Sequence, residues 1–215
     1  MHGRDLERGG KTVSDIQNSG GKARFIAADL TKADDVRRLA EQAGRVDILI
    51  DNAGIYRFGP TADTDDAFFD EHVNINLRAP NILVQKLVPA MAERGHGVVP
   101  NVSTLGATMP GQGAGIYGAT KAGLELLTKV WADEFGAAGV RVNAASGGPT
   151  MTPGTAAAAD FMQALGRTTT LDRVAEADEI ANAVTFLASS AASYVNGAIL
   201  QVSGGIKAIS PDVTP

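Results

Sequence analysis

The sequence predicts an α/β fold, a parallel sheet covered by helices on both faces and therefore three layers deep. Short apolar runs alternate with segments of helical spacing along nearly the whole chain. The connections between those runs are too long for hairpins, so successive strands return by crossovers and lie parallel. Glycine supplies 25 of the 215 residues and aromatics only 5%, a composition suited to backbones that pack closely.

Residues 6–19 form the first helix, with Leu6, Val13 and Ile16 on one face and Gly20-Gly21 ending it. Residues 24–28 make a short apolar strand. Thr31, with Asp34 three residues on, forms a capping pair for a helix whose Val36, Leu39, Ala40 and Ala43 share one face up to Gly44. A buried strand follows at 46–50. The segment 65–94 has helical spacing, kinked at Pro80. Residues 98–102 are the next strand, although Pro100 lacks the ladder donor expected of a central strand. The helix at 116–137 turns Ala119, Ala122, Leu126, Leu127, Val130 and Trp131 inward, and a strand at 140–144 follows it. Residues 147–172 read as a loop with one short helix. The last helix spans 176–188, with Ile180, Val184 and Leu187 inward, and the last strand 198–202. Residues 1–215 make a single domain of ordinary size, ending in a mobile tail at 206–215.

Composition excludes several functions. There is no cysteine, so disulfides, thiolate metal sites and a cysteine nucleophile are ruled out, and a reducing, cytoplasmic setting is expected. Lys plus Arg number 19 against 24 Asp plus Glu, without a basic cluster, which argues against nucleic acid as a partner. No apolar run is long enough for a membrane span. His2, His72 and His96 have no metal-site spacing, so no metal is expected.

The sharpest chemical signal is Tyr117 with Lys121, four residues apart on one helix face. A phenol titrates near 10, so it moves protons at neutral pH only if a cation stabilises its phenolate, which Lys121 could do. Around this pair stand other motifs in fixed order. Asp51-Asn52-Ala53-Gly54 follows the strand VDILI, Asn76-Leu77-Arg78 lies in the long helix, and Asn101-Val102-Ser103-Thr104 ends a strand thirteen residues before Tyr117. VRVNAASGGPTMT and YVNGAILQVSGG come after it.

With these motifs the chain resembles the short-chain dehydrogenases/reductases over nearly its whole length, from GRDLERG to VSGG. The resemblance implies a Rossmann-like doubly wound sheet, NADP or NAD as cofactor, and hydride transfer between nicotinamide and a carbonyl or secondary-alcohol carbon. It makes Tyr117 the general acid/base, Lys121 its partner and holder of the nicotinamide ribose, and Asn76 the anchor of a water on the proton path. Thr104 matches the hydroxyl that polarises the substrate, with Ser103 the alternative; adjacent strand residues point oppositely, so only one can face the substrate. On the cofactor side, Asp29 and Leu30 meet the adenine, the backbone of Asn52, Ala53 and Gly54 passes the adenosine ribose, and Gly148, Thr150 and Thr152 surround the nicotinamide amide. Arg4 falls where an arginine pairs with a 2'-phosphate, which favours NADP. The substrate is expected to be a modest, uncharged carbonyl or secondary alcohol for which Phe161, Met162 and Leu165 are available contacts, with an acyl-carrier-linked oxoacyl group and a steroid or sugar derivative left open; the protein is expected to be a homo-oligomer, dimer or tetramer, with the helix at 116–137 at a contact.

Departures from the family pattern are Asp51 for the first asparagine of NNAG, Gly147 for the proline of PG, Ser203 for the aspartate of DGG, and Pro100 within a strand. The resemblance also places Gly3-Arg4-Asp5 at the end of the family's second strand. A TGxxxGxG turn is not in the sequence, so the predicted sheet is incomplete at its amino-terminal side. A second reading follows from that: a non-catalytic relative that assembles with full-length ones.

Overall fold

The protein is described by a computed structural model covering residues 1–207. Its amino-terminal part holds strand β1 (His2–Gly3), helix α1 (Leu6–Asn18), strand β2 (Ile26–Ala27) and helix α2 (Ala33–Ala43). The centre holds α3 (Asp66–Val73), α4 (Ala79–Glu93), β3 (Gly97–Thr104), α5 (Gly115–Gly136) and β4 (Val140–Gly147). Then come β5 (Thr150–Met151), α6 (Ala159–Gly166), β6 (Ala175–Glu176), α7 (Ala177–Ala188) and β7 (Ile199–Val202).

All named strand pairs are parallel, as the long connections require. β1 pairs with β2, β3, β4 and β7 form a second sheet in that order, and β5 and β6 form a small ribbon. The layers follow from side-chain alternation. Val99, Val140 and Val142 pack with Val84, Val88, Met91, Leu124 and Trp131 of α4 and α5. Ala145, odd-numbered steps from Val142, faces the other way onto Val184 and Leu187 of α7. A third cluster joins Val36, Leu39 and Ala40 of α2 to Ile82 and Leu83 of α4.

The expected strand at 46–50 is present only as two bridges to β3, Ile48 with Val98 and Asp51 with Asn101. Pro100 explains the interruption. Val98 N donates to Asp47 O and Val102 N to Asp51 O, so the missing N–H of Pro100 is the donor that would have reached Leu49 between them. Pro100 thus sits inside the strand expected at 98–102, at the loss of one ladder bond. On the far side of residues 46–51 no strand pairs among the described residues, and Ile48 and Ile50 are about half exposed (47% and 49%).

Several sequence expectations need correction. Thr31 does not cap α2; Lys32 holds that position without a side-chain bond, and the Thr31 hydroxyl donates to Asp29 Oδ1 at 2.8 Å. Leu6 is exposed, and α1 turns Gly9 inward, where the ring of Phe25 leaves no room for a side chain. The break in the long helix lies ahead of Pro80, in a π-helical turn at Asn74–Arg78. Proline cannot donate to the carbonyl four residues back, and the wider turn accommodates that lost bond. In α5 the inward face is Gly118, Thr120, Lys121, Leu124, Glu125, Thr128 and Trp131, whereas Ala119, Leu126 and Val130 face out. In the carboxyl-terminal segment Lys207 is fixed by bonds to Arg167 O and Asp172 Oδ1; the remaining predicted tail, 208–215, lies outside the described residues.

Candidate active site

The carboxyl end of β3, the start of α5, the π turn and the loop after residue 51 converge on one place. β3 runs to Thr104, and its last two residues point oppositely. Ser103 Oγ donates to Glu125 Oε1 at 2.7 Å beneath α5, buried from solvent. Thr104 goes the other way, and its hydroxyl acts on Tyr117. Burial pushes the Tyr117 phenol above its ordinary value, and the Thr104 hydroxyl bond opposes that rise. The first turn of α5 comes this near because Gly118 has no side chain to collide with Gly106 O.

Lys121, one turn further along α5, is 5% exposed, and its Nζ donates to Val102 O at 2.8 Å. Burial brings it down to about 8, with Asp51 and Glu125 acting in the opposite sense. The ammonium is held on the strand and faces Asp51. Asn76, in the π turn, has no exposed surface, and it clamps the loop by accepting from Ile55 N at 2.8 Å and donating to Ile55 O at 2.9 Å. Its Nδ2 also donates to Thr120 Oγ1 at 3.2 Å, tying the loop to α5.

Gly54 completes the arrangement. A Cβ there would stand 3.2 Å from Asn76 Oδ1 and 3.3 Å from Lys121 Nζ, so a side chain would fill the surface over Lys121. That bare backbone continues into a cavity of about 140 Å³ lined by Arg4, Asp29, Leu30, Ala53, Gly54 and Ile55, among others. Asp29 is held below the usual carboxylate range chiefly by hydrogen bonds from Thr31, with Lys32 and Arg4 adding to the effect. A concave site floored by bare glycine backbone, with a cation and a carboxylate at its rim, fits the adenosine part of a dinucleotide. Leu30 lines this cavity from the core cluster in which its side chain is buried.

Asn52 lies exposed at the start of the same loop. The remaining predicted cofactor residues lie beyond β4. Gly148 packs against the Ser203 backbone, where a Cβ would be 2.8 Å from Ser203 Cα. Thr150 Oγ1 donates back to Gly148 O at 2.9 Å, and the Thr152 hydroxyl meets that of Thr155 at 3.2 Å.

Sequence reading missed four contributors. Phe58 lies edge-on to Tyr117, with ring centroids 5.9 Å apart, and the Tyr56 hydroxyl stands where a side chain on Gly154 would go. Both belong to a loop without periodicity, which leaves no signal to read. Asn101 and Glu125 are buried polar residues whose partners come from other elements.

A parallel sheet with a cavity beside a bare glycine loop and a phenol one turn from a buried lysine is the fold and chemistry of a nicotinamide-dependent oxidoreductase. Comparison with known proteins agrees. The family model described as enoyl-(acyl carrier protein) reductase matches residues 3–207. Cyclopentanol dehydrogenase from Comamonas testosteroni is 34% identical over 209 residues, covering 94% of this chain and 84% of that protein. A solved short chain dehydrogenase/reductase family protein shares 47% identity with a TM-score of 0.89, over 95% of this chain and 84% of that one. A gluconate 5-dehydrogenase from Burkholderia cenocepacia, solved in complex with NADP and tartrate, shares 27% identity with a TM-score of 0.88, over 95% of this chain and 83% of its own. The chain belongs to the short-chain dehydrogenase/reductase family. It is an NAD(P)-dependent oxidoreductase with a Rossmann-like fold. No helix among the described residues is long and apolar enough to cross a membrane.

Proposed function

We propose that Tyr117, Thr104, Lys121 and Asn76 are the catalytic group of this oxidoreductase and that it interconverts a small, uncharged ketone and its secondary alcohol. The carrying observation is that Thr104 and Tyr117 meet over Gly106, where a Cβ would stand 3.7 Å from Thr104 Oγ1 and 3.8 Å from Tyr117 Cε1, while Ser103 is committed to Glu125. In reduction, the Thr104 hydroxyl donates to the carbonyl oxygen and Tyr117 transfers its proton to the same oxygen as negative charge develops there. Bound NADP(H) supplies or accepts the hydride at the adjacent carbon. Lys121 and the Asn76-clamped loop hold the ribose side of the site. Phe58 and Tyr56 form an aromatic wall beside Tyr117 that favours an apolar substrate body.

Within the same proposal, Arg4 at the cavity rim selects NADP over NAD, Asp29 and Leu30 flank the adenine, Asn52, Ala53 and Gly54 the adenosine ribose, and Gly148, Thr150 and Thr152 the nicotinamide amide. Residues 1–207 form a single domain. The outward Leu126 and Val130 of α5 support a homodimer or tetramer, and the cytoplasm suits a chain without cysteine. Replacing Tyr117 by Phe tests the central assignment. The expected result is loss of ketone reduction with NADPH affinity nearly unchanged, measured by cofactor fluorescence titration; substantial residual turnover removes Tyr117 from its role.

A further inference from the structure

Beneath Lys121, two neighbouring strands bury more acceptors than donors. Asp51 is 7% exposed and its Oδ2 has no hydrogen-bond partner; Asn101 is fully buried and its Oδ1 has none either. These residues are register partners on adjacent parallel strands, with Asp51 N donating to Pro100 O and Val102 N to Asp51 O. Partners of this kind extend their side chains from the same face of the sheet.

The orientation of the Asn101 amide is fixed by its other neighbour. Thr128 Oγ1 donates to Leu124 O at 2.8 Å, which commits its only proton. Toward Asn101 that hydroxyl can only accept, so Asn101 must present Nδ2 to it, as it does at 2.8 Å. Asn101 Oδ1 is therefore left as an acceptor without a donor, on a residue in register with Asp51. An ionised Asp51 has no proton to offer, and both buried oxygens would stay without a hydrogen bond. A protonated Asp51 satisfies both with one bond.

We propose that Asp51 is a neutral carboxylic acid donating to Asn101 Oδ1, and that it acts as a positioning residue whose ionisation sets how firmly Lys121 keeps its charge. The second half rests on the catalytic reading of Lys121 given above. With Asp51 protonated, Lys121 has Val102 O and the more distant Glu125 beside it but no carboxylate counter-ion on the strand. When Asp51 releases its proton to solvent, its carboxylate becomes that counter-ion and holds the ammonium charged. The charged group facing Asp51 is Lys121 of α5; Glu125 faces Lys121 and is engaged by Ser103. Burial pushes Asp51 up to about 7, with Lys121 pulling it down, in keeping with this geometry. Since the two groups titrate within reach of each other, the pair loses its protons in coupled steps.

Asp51→Asn tests the idea, because an amide keeps a donor for Asn101 Oδ1 and loses the titration. The full-length chain without cofactor is followed by infrared difference spectroscopy across pH. The expected result is a protonated-carboxyl band in the wild type that disappears as pH rises through about 7 and is absent from Asp51→Asn. Asp51→Ala, which also removes the donor, should lower the melting temperature where Asp51→Asn does not. With substrate and NADPH, the wild-type pH profile of kcat/KM should carry a limb in the same range that Asp51→Asn lacks. A wild-type carboxyl band already lost by about pH 5, or one that persists in Asp51→Asn, overturns the protonated-acid assignment. An unchanged pH profile alongside the expected spectra overturns its influence on Lys121. Absence of turnover in wild type and variant alike, with the spectra as expected, would instead count against the catalytic reading and leave the protonated acid standing.

Discussion

If Asp51 is protonated in the native chain, stability must depend on pH in a definite direction. Its carboxyl is pushed up to about 7 by burial, against an ordinary value of 3.8. Between those limits the native chain keeps a proton that the unfolded chain has released, so stability is fully present below about pH 4 and falls as pH rises toward 7. The gap corresponds to about 4 kcal/mol, a large share of the stability of a domain this size. Lys121, brought down to about 8, works in the opposite sense: the native chain sheds that proton first, so stability recovers above about pH 8. A minimum of stability between about pH 7 and 8 is expected. Asp51→Asn should match the wild type at low pH and exceed it increasingly toward pH 7, by up to about 4 kcal/mol. Urea unfolding at a series of pH values measures this, read by the emission of the single tryptophan, Trp131, which is buried between α5 and the sheet. A wild-type minus variant difference that stays constant from low pH to neutrality would refute the reasoning.

Other substitutions separate neighbouring roles. Thr104→Val should reduce turnover by about 100-fold or more with little change in unfolding free energy, whereas Ser103→Ala should cost about 1–3 kcal/mol of stability by leaving buried Glu125 Oε1 without its donor, and spare much of the turnover. The reverse pattern in steady-state assays and unfolding curves would exchange the two assignments. Arg4→Ala should weaken NADPH binding by about 10-fold or more while leaving NADH nearly untouched; equal loss of both in parallel titrations would remove the 2'-phosphate role.

Much of this molecule was legible in one dimension. Apolar runs and crossover lengths defined the parallel sheet, and the inward residues of α2, Val36, Leu39 and Ala40, were correctly read from spacing. The order of DNAG, the helix asparagine, the strand-end hydroxyls and Tyr117 with Lys121 led to the right family. In α5 the same method placed Trp131 correctly but turned Ala119, Leu126 and Val130 inward, where the structure has them facing out. Periodicity counts apolar residues, but this helix buries Lys121, Glu125 and Thr128 because β3 offers each a partner, Val102 O, Ser103 Oγ and Asn101 Nδ2 respectively. Those partners lie 19, 22 and 27 residues away along the chain, so no local pattern could announce them.

The sequence by itself determined which elements form, in what order, and which short motifs carry chemistry, because helical and strand periods and turn residues are local properties. The tertiary structure decided the rest. It separated Thr104 from Ser103 by running β3 straight through both, it let Pro100 sit in a central strand by losing a single donor to Leu49, and it brought Asp51 beside Asn101 in a place with too few protons. Charge state and hydrogen-bond satisfaction depend on burial and on neighbours from distant segments. The letter at position 51 therefore marks a departure from the family pattern, and only packing shows what that departure does.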